Sequence, residues 1–201
     1  MSKNKCWGID TQDNKPIKVC LFVSRKKDNE YIGNFVERRK SFITTKTKDE
    51  LIEEFDNFVS HGVEGELCRM YLSVNARDGK KIYKELLHFL IDNPDFNLTH
   101  INSKLASIAA KKECALEKKW MFDFDLDNDE MELQFETDII NTSVPVVNKI
   151  ENYDTPHGYA IIVDHGFDTR QLMEEWGNVV TLKRDDLLCV AWNWTHFREE
   201  R

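Results

Sequence analysis

Lys119-Trp120-Met121-Phe122-Asp123-Phe124-Asp125-Leu126-Asp127-Asn128 is the most informative stretch of the chain. Successive side chains of a strand point to opposite faces, so Trp120, Phe122, Phe124 and Leu126 are predicted to enter a core while Asp123, Asp125 and Asp127 project together from the other face. Neighbouring acids of this set would have Cα atoms about 6.5 Å apart. That is close enough to share divalent cations and costly for bare anions. Oxygen-rich clusters suit Mg2+ or Mn2+, and a pair of such ions can activate an attacking hydroxyl and neutralise a leaving pyrophosphate. The same alternation also suits a solvated sheet face or an edge guarded by charge. Aromatic residues on the core side argue for a central strand, where three exposed acids need another reason.

Downstream, strands are predicted near Val146 to Ile150, at Tyr159 to Val163, at Val179 to Leu182 and at Leu187 to Trp192, while residues 129–141 are ambiguous. Asp168 is placed to cap a short helix through Leu172, Met173 and Trp176, with Gly177 as its stop. Upstream, Ile17 to Val23 and Tyr31 to Val36 read as strands around a polar turn at Asp28-Asn29. Thr47-Lys48-Asp49-Glu50 is a capping box ahead of Leu51, Ile52, Phe55, Phe58 and Val59, whose spacing marks an amphipathic helix ending near Gly62. Cys68, Met70, Leu72 and Val74 alternate with Arg69, Tyr71, Ser73 and Asn75, a strand with one apolar and one polar face. Ile82, Leu86, Phe89 and Leu90 mark a second helix closed by Asn93-Pro94, and a third runs from about Ser103 to Lys118. Strands and helices mix without regular alternation, which predicts an α+β fold: mainly antiparallel sheet with helices packed on one face.

The 201 residues, 41% hydrophobic and 32% charged, suffice for one compact unit over 1–201 and exclude a disordered or low-complexity chain. Cys6, Cys20, Cys68, Cys114 and Cys189 are odd in number and lack CxxC spacing, so buried reduced thiols are expected rather than zinc or disulfides. Apolar runs such as Ala160 to Val163 fall far short of the roughly 20 residues of a membrane span. The start Met1-Ser2-Lys3-Asn4-Lys5 has no apolar signal core, so a cytoplasmic protein with no membrane partner is expected. The net charge of −8 conceals a division, because residues 1–119 carry 22 Lys and Arg against 18 Asp and Glu, and residues 120–201 carry 6 against 18. A phosphate backbone suits the first half, and the acids of the proposed metal site lie in the second. No GxxxxGK[ST] loop or recognisable nucleophile motif is present.

Two further segments follow the acidic strand. Tyr153-Asp154-Thr155-Pro156-His157-Gly158-Tyr159-Ala160 is a turn into an apolar strand, where Gly158 permits close approach of the backbone to a ligand. Leu182-Lys183-Arg184-Asp185-Asp186-Leu187 places acids at a strand-turn-strand junction, where a third carboxylate can reach the first two; a plain turn is the alternative. In this order the three segments resemble the catalytic core of the archaeo-eukaryotic primase-polymerase superfamily, including small versions carried by bacteriophages and mobile elements. The resemblance covers mainly residues 117–192, with Arg69 to Asn75 as an N-terminal continuation.

The resemblance implies a primase-polymerase-like core and a metal-dependent nucleotidyltransferase acting on nucleoside triphosphates and a nucleic-acid strand. Asp123 and Asp125 match the family's Asp-x-Asp, and Asp185 or Asp186 its third acid, as the catalytic set; Asp123, Asp125 and Asp127 are the metal-ligand candidates for Mg2+ or Mn2+. Arg69, His157, Lys183 and Arg184 are candidates for binding the triphosphate. The Lys-rich stretch 104–119 and Arg38-Arg39-Lys40 suit a template strand, or equally a solvated helix face. The chain departs from the family where the second motif runs Gly-aromatic-His, because it has Gly158-Tyr159-Ala160, and alanine neither donates a hydrogen bond nor carries charge. Thr155-Pro156-His157 fits small-x-His but precedes the strand, and His165 reads as a surface residue. The departure opens a second reading: a catalytically inactive, primase-like binding or inhibitor module in phage replication or phage-host conflict, with a replication or host protein as partner. A nuclease or glycosyltransferase sharing an Asp-x-Asp strand is a third.

Overall fold

The computed structural model describes residues 15–126 and 128–194. In chain order the elements are β1 (Lys18–Ser24), β2 (Arg38–Thr44), α1 (Lys48–Ser60), β3 (Arg69–Ser73), α2 (Gly79–Asp92), α3 (Ile101–Ala109) and β4 (Trp120–Phe124). There follow α4 (Asp129–Thr142), β5 (Ile150–Thr155), β6 (Gly158–Val163), α5 (Arg170–Trp176), β7 (Val180–Lys183) and β8 (Leu187–Trp192). The fold is α+β, with two antiparallel four-stranded sheets ordered β2-β1-β3-β8 and β5-β6-β4-β7. No helix among the described residues is long and apolar enough to cross a membrane.

The second sheet is a β-α-β-β-α-β unit of the split βαβ kind, which puts β4 at its centre. Phe122 and Phe124 of β4 and Tyr159, Ile161 and Val163 of β6 form one face, covered by Phe135 and Ile139 of α4 and Leu172 and Trp176 of α5. The Phe135 ring meets Phe122 edge-on at 5.3 Å and Trp176 at 5.2 Å, the arrangement favoured by aromatic quadrupoles. The opposite face, Met121, Ala160 and Ile162, packs on Val74 and Leu188 of the other half. After β7 the chain returns to the first sheet, where β8 pairs with β3. The basic and acidic halves of the sequence are therefore not the two sheets.

Helices on one face describes the second sheet only. In the first, Val19 packs with Ile82 of α2 and Ala106 and Ile108 of α3, while the adjacent Cys20, with Phe22, packs with Leu51 and Phe55 of α1. Adjacent strand residues face opposite ways, so helices cover both faces. Arg69, Ser73 and Asn75, which alternation assigned to a polar face, are buried as well: Arg69 against Asp28 and His157, Ser73 against the Val19 N–H, and Asn75 against Lys119 and Asp185.

The capping box forms as expected: Thr47 Oγ1 accepts from the Glu50 N–H and the Glu50 carboxylate from the Thr47 N–H at 2.7 Å. Residues 31–36 form turns, not a strand. The preceding Asn29 is fully buried, and its amide bonds Ser24, Arg25 and Leu67, which redirects the chain before the charged edge strand β2. α3 ends at Ala109 rather than Lys118; a 3-10 turn over Lys112–Cys114 buries Cys114, and Ala115 then bridges Arg77. The ambiguous 129–141 segment is helical because Asn128 caps it through the Glu130 and Met131 N–H groups and three acids occupy its first turn. β5 begins at Ile150, where a strand near Val146 to Ile150 was expected; Val147 is instead buried beneath α4, its N–H bonded to Ser143 Oγ.

Candidate functional site

β4 carries the acidic motif into a cleft between the sheets. Asp123 lies opposite Ala160 of β6 and Thr181 of β7 in the strand register. Cross-strand partners share a face, and all three line a cavity of about 330 Å³. Asp125 lines it too, one residue beyond the strand, its N–H bonded to the Val179 carbonyl at 3.1 Å. Leu126 is 36% exposed, so the expected alternation stops at Phe124. Asp127 lies outside the described residues.

The opposing wall comes from the first sheet: Arg69 and Tyr71 of β3, Cys189 of β8, and Arg25 and Lys27 just past β1. Arg69 is 5% exposed. One of its terminal nitrogens contacts Asp28 Oδ1 and His157 Nε2, each at 2.9 Å. Its Nε is buried without a hydrogen-bond partner among the described residues. Asp28 also holds Arg25 through contacts of 2.8 and 3.2 Å, so one carboxylate serves two guanidinium groups. His157 occupies the β5–β6 turn, as the sequence indicated, and tertiary packing brings it to Arg69. Burial, then the Arg69 charge, lowers its pKa, in keeping with a neutral imidazole that accepts from the guanidinium.

Lys183 reaches across from β7, its Nζ 2.7 Å from Asp123 Oδ2 and 3.9 Å from Asp186 Oδ2. Burial opposes the ammonium, but Asp123 and Asp186 outweigh it and hold its pKa above the ordinary lysine value. Burial also raises the Tyr71 hydroxyl and pushes the Cys189 thiol up to about 12, leaving a neutral, unreactive sulfur in the wall.

Asp123, Asp125, Arg69, His157 and Lys183 are thus brought together. Asp185 is not: Arg77 clamps it with bonds of 2.8 and 2.9 Å and Asn75 donates at 3.1 Å, the two charged side chains being 8% and 1% exposed. Of the two acids offered for the third position, Asp185 thus has both oxygens on the buried Arg77 guanidinium and does not line the cleft. Arg184 lies over the Trp120 ring at 5.1 Å and does not line the cleft. Asp186 accepts from the Leu187 N–H at 2.8 Å and approaches Asp123 only through Lys183. Gly158, at φ +154°, admits the β4 backbone rather than a ligand: a Cβ there would stand 2.2 Å from the Phe124 carbonyl oxygen.

Arg25, Lys27, Asp28 and Tyr71 were not singled out from the sequence. The basic run Arg25-Lys26-Lys27 directly after β1 is the signal that could have found them. Several basic residues expected to track a template are paired internally: Lys111 with Glu85, Lys119 with Glu117, Arg38 with Glu66, and Lys104 over Phe89. Among the described residues no group of three or more His, Cys, Asp or Glu side chains is placed to hold a metal ion. Asp123 already has an ammonium on it, and Asp185 is withdrawn to Arg77, so the described donors do not fit a two-metal centre.

No protein-family model, curated protein or solved structure matches the chain.

Proposed function

We propose that this protein is a binding module whose cleft takes the phosphate groups of a nucleotide or nucleic-acid strand without turning them over. The observation that carries the reading is Arg69, a buried guanidinium in the cleft wall with its Nε unmatched. A buried donor without a partner is costly, and a phosphate oxygen is the acceptor a guanidinium fits best. Arg25, Lys27, Arg69 and Lys183 outnumber Asp28, Asp123 and Asp125 by one, so the cleft favours an anion. Ala160 supports the absence of turnover, since it stands beside Asp123 where the resemblance places a histidine. Calorimetric titration with nucleoside triphosphate in the presence of EDTA tests the reading. Metal-independent binding is expected, weakened by Arg69→Met, with no primer extension in Mg2+ or Mn2+; absence of binding overturns it.

A second reading, a metal-dependent nucleotidyltransferase, draws on Asp123 and Asp125 sharing one cleft. Primer extension by purified protein, abolished by Asp123→Asn, would establish it in place of the first.

A further inference from the structure

A second cavity, of about 500 Å³, is larger than the cleft and meets it only at Leu188 and Cys189, which line both. Its walls divide by chemistry. Leu72, Val74, Ile162, Leu188 and Val190 make an apolar surface where the sheets meet, and Tyr153 and Trp192 add aromatic rings. Lys18, Lys48 and Lys119 supply three cations against the two carboxylates of Glu151 and Asp154. Glu151 is already engaged by Lys149 Nζ at 2.5 Å and by the Tyr153 hydroxyl at 2.6 Å. Lys119 contacts Glu117 at 3.7 Å.

Lys18 is the distinctive group. Its Nζ donates to the Ser73 and Val74 carbonyls at 3.0 and 2.7 Å, so two of the three ammonium donors are used, and among the described residues no carboxylate is in hydrogen-bond contact with it. Burial lowers its pKa against the weaker pull of Glu117, the mark of an under-compensated cation. Lys48, in the first turn of α1, makes no ion pair among the described residues. An apolar chamber with a few convergent polar groups is the general form of a small-molecule site, and about 500 Å³ lies within the usual range.

We propose that this second cavity binds a small organic anion with a planar, mostly apolar body, its head group held by Lys18 and Lys48 and its body against Leu72, Ile162, Val190 and Trp192. A polyphosphate is the wrong occupant, because the apolar wall would leave its charge without partners. The site does not depend on the reading of the first cleft.

Anilinonaphthalene sulfonate, which carries one anionic group on a planar aromatic body, is the probe. Titration followed by fluorescence and by amide chemical shifts is expected to give saturable one-to-one binding, with shifts centred on residues 72–74, 151–154 and 188–192. Lys18→Met should weaken it about tenfold, the worth of one charge-assisted hydrogen bond. Lys48→Glu, at an exposed position that leaves the fold intact, should weaken it as well. Saturating nucleoside triphosphate should leave the probe bound. Displacement by triphosphate, shifts centred elsewhere, or unchanged affinity in Lys48→Glu would overturn the proposal.

Discussion

Asp185→Ala separates a structural carboxylate from a catalytic one. The variant removes two hydrogen bonds of 2.8 and 2.9 Å from Arg77, whose side chain is 1% exposed, and leaves a guanidinium buried without its counter-charge. Removing one partner of a buried pair costs about 3–5 kcal/mol. In a chain of this size that lowers the melting temperature by about 6–20 °C. Asn75 also loses a partner but keeps the Lys119 carbonyl at 3.1 Å, so it adds little. Arg77→Met combined with Asp185→Leu removes both charges, and its stability should return to within about 1 kcal/mol of the parent, since well-packed apolar replacements of buried pairs are often neutral. Urea unfolding followed by circular dichroism measures all three proteins. An Asp185→Ala midpoint equal to the parent's would refute the argument, as would a double variant no better than the single one. Lost nucleotide affinity at unchanged stability would restore Asp185 to the site.

Three further outcomes follow from named groups. The His157 imidazole should titrate below the about 6.5 of a free histidine, and Arg69→Met should raise it. Because the folded value is the lower one, the unfolded chain takes up the proton first; the contribution to stability is complete above about pH 6.5 and is lost as pH falls through the folded value. An NMR-observed pKa at or above 6.5 would count against the Arg69 contact. Cys20 and Cys189, pushed up to about 12 chiefly by burial, should resist iodoacetamide at pH 8 until the protein is unfolded. Their linkage runs the other way, with stability declining from about pH 9 to 12 as the unfolded thiols ionise first; rapid native-state alkylation of either would contradict the burial. Gly158→Ala forces a Cβ to within 2.2 Å of the Phe124 carbonyl at a strained φ, and should cost more than the roughly 1 kcal/mol of an average point substitution. A parent-like melting temperature would show that β4 and β6 can separate at no cost.

Elements with a strong local signal were legible in the sequence. α1 had a capping box and an apolar stripe, and both are present. β4 had strict alternation, and Phe122 and Phe124 are fully buried behind Asp123. Where the signal is local and weak, context decided the outcome. β2 reads as a charged segment because it is an edge strand, while Tyr31 to Val36 looks apolar enough for a strand until the buried Asn29 amide turns the chain. The 129–141 helix has scattered apolar residues, and only Phe135 and Ile139 of it are fully buried, with Met131 partly so, which explains its faint periodicity.

The sequence by itself determined the α+β class, the acidic strand and the charge division, because alternation and capping are properties of a few adjacent residues. Tertiary structure alone decided which charges meet. Asp185 and Asp186 are equivalent in the sequence, yet Arg77, 108 positions away, takes the first and leaves the second exposed. Arg69 and His157 lie 88 positions apart and are in contact, and Lys183 neutralises Asp123 from a strand paired beside it. Coulomb and hydrogen-bond energies depend on distance in space, and no local pattern records which distant strands will be neighbours.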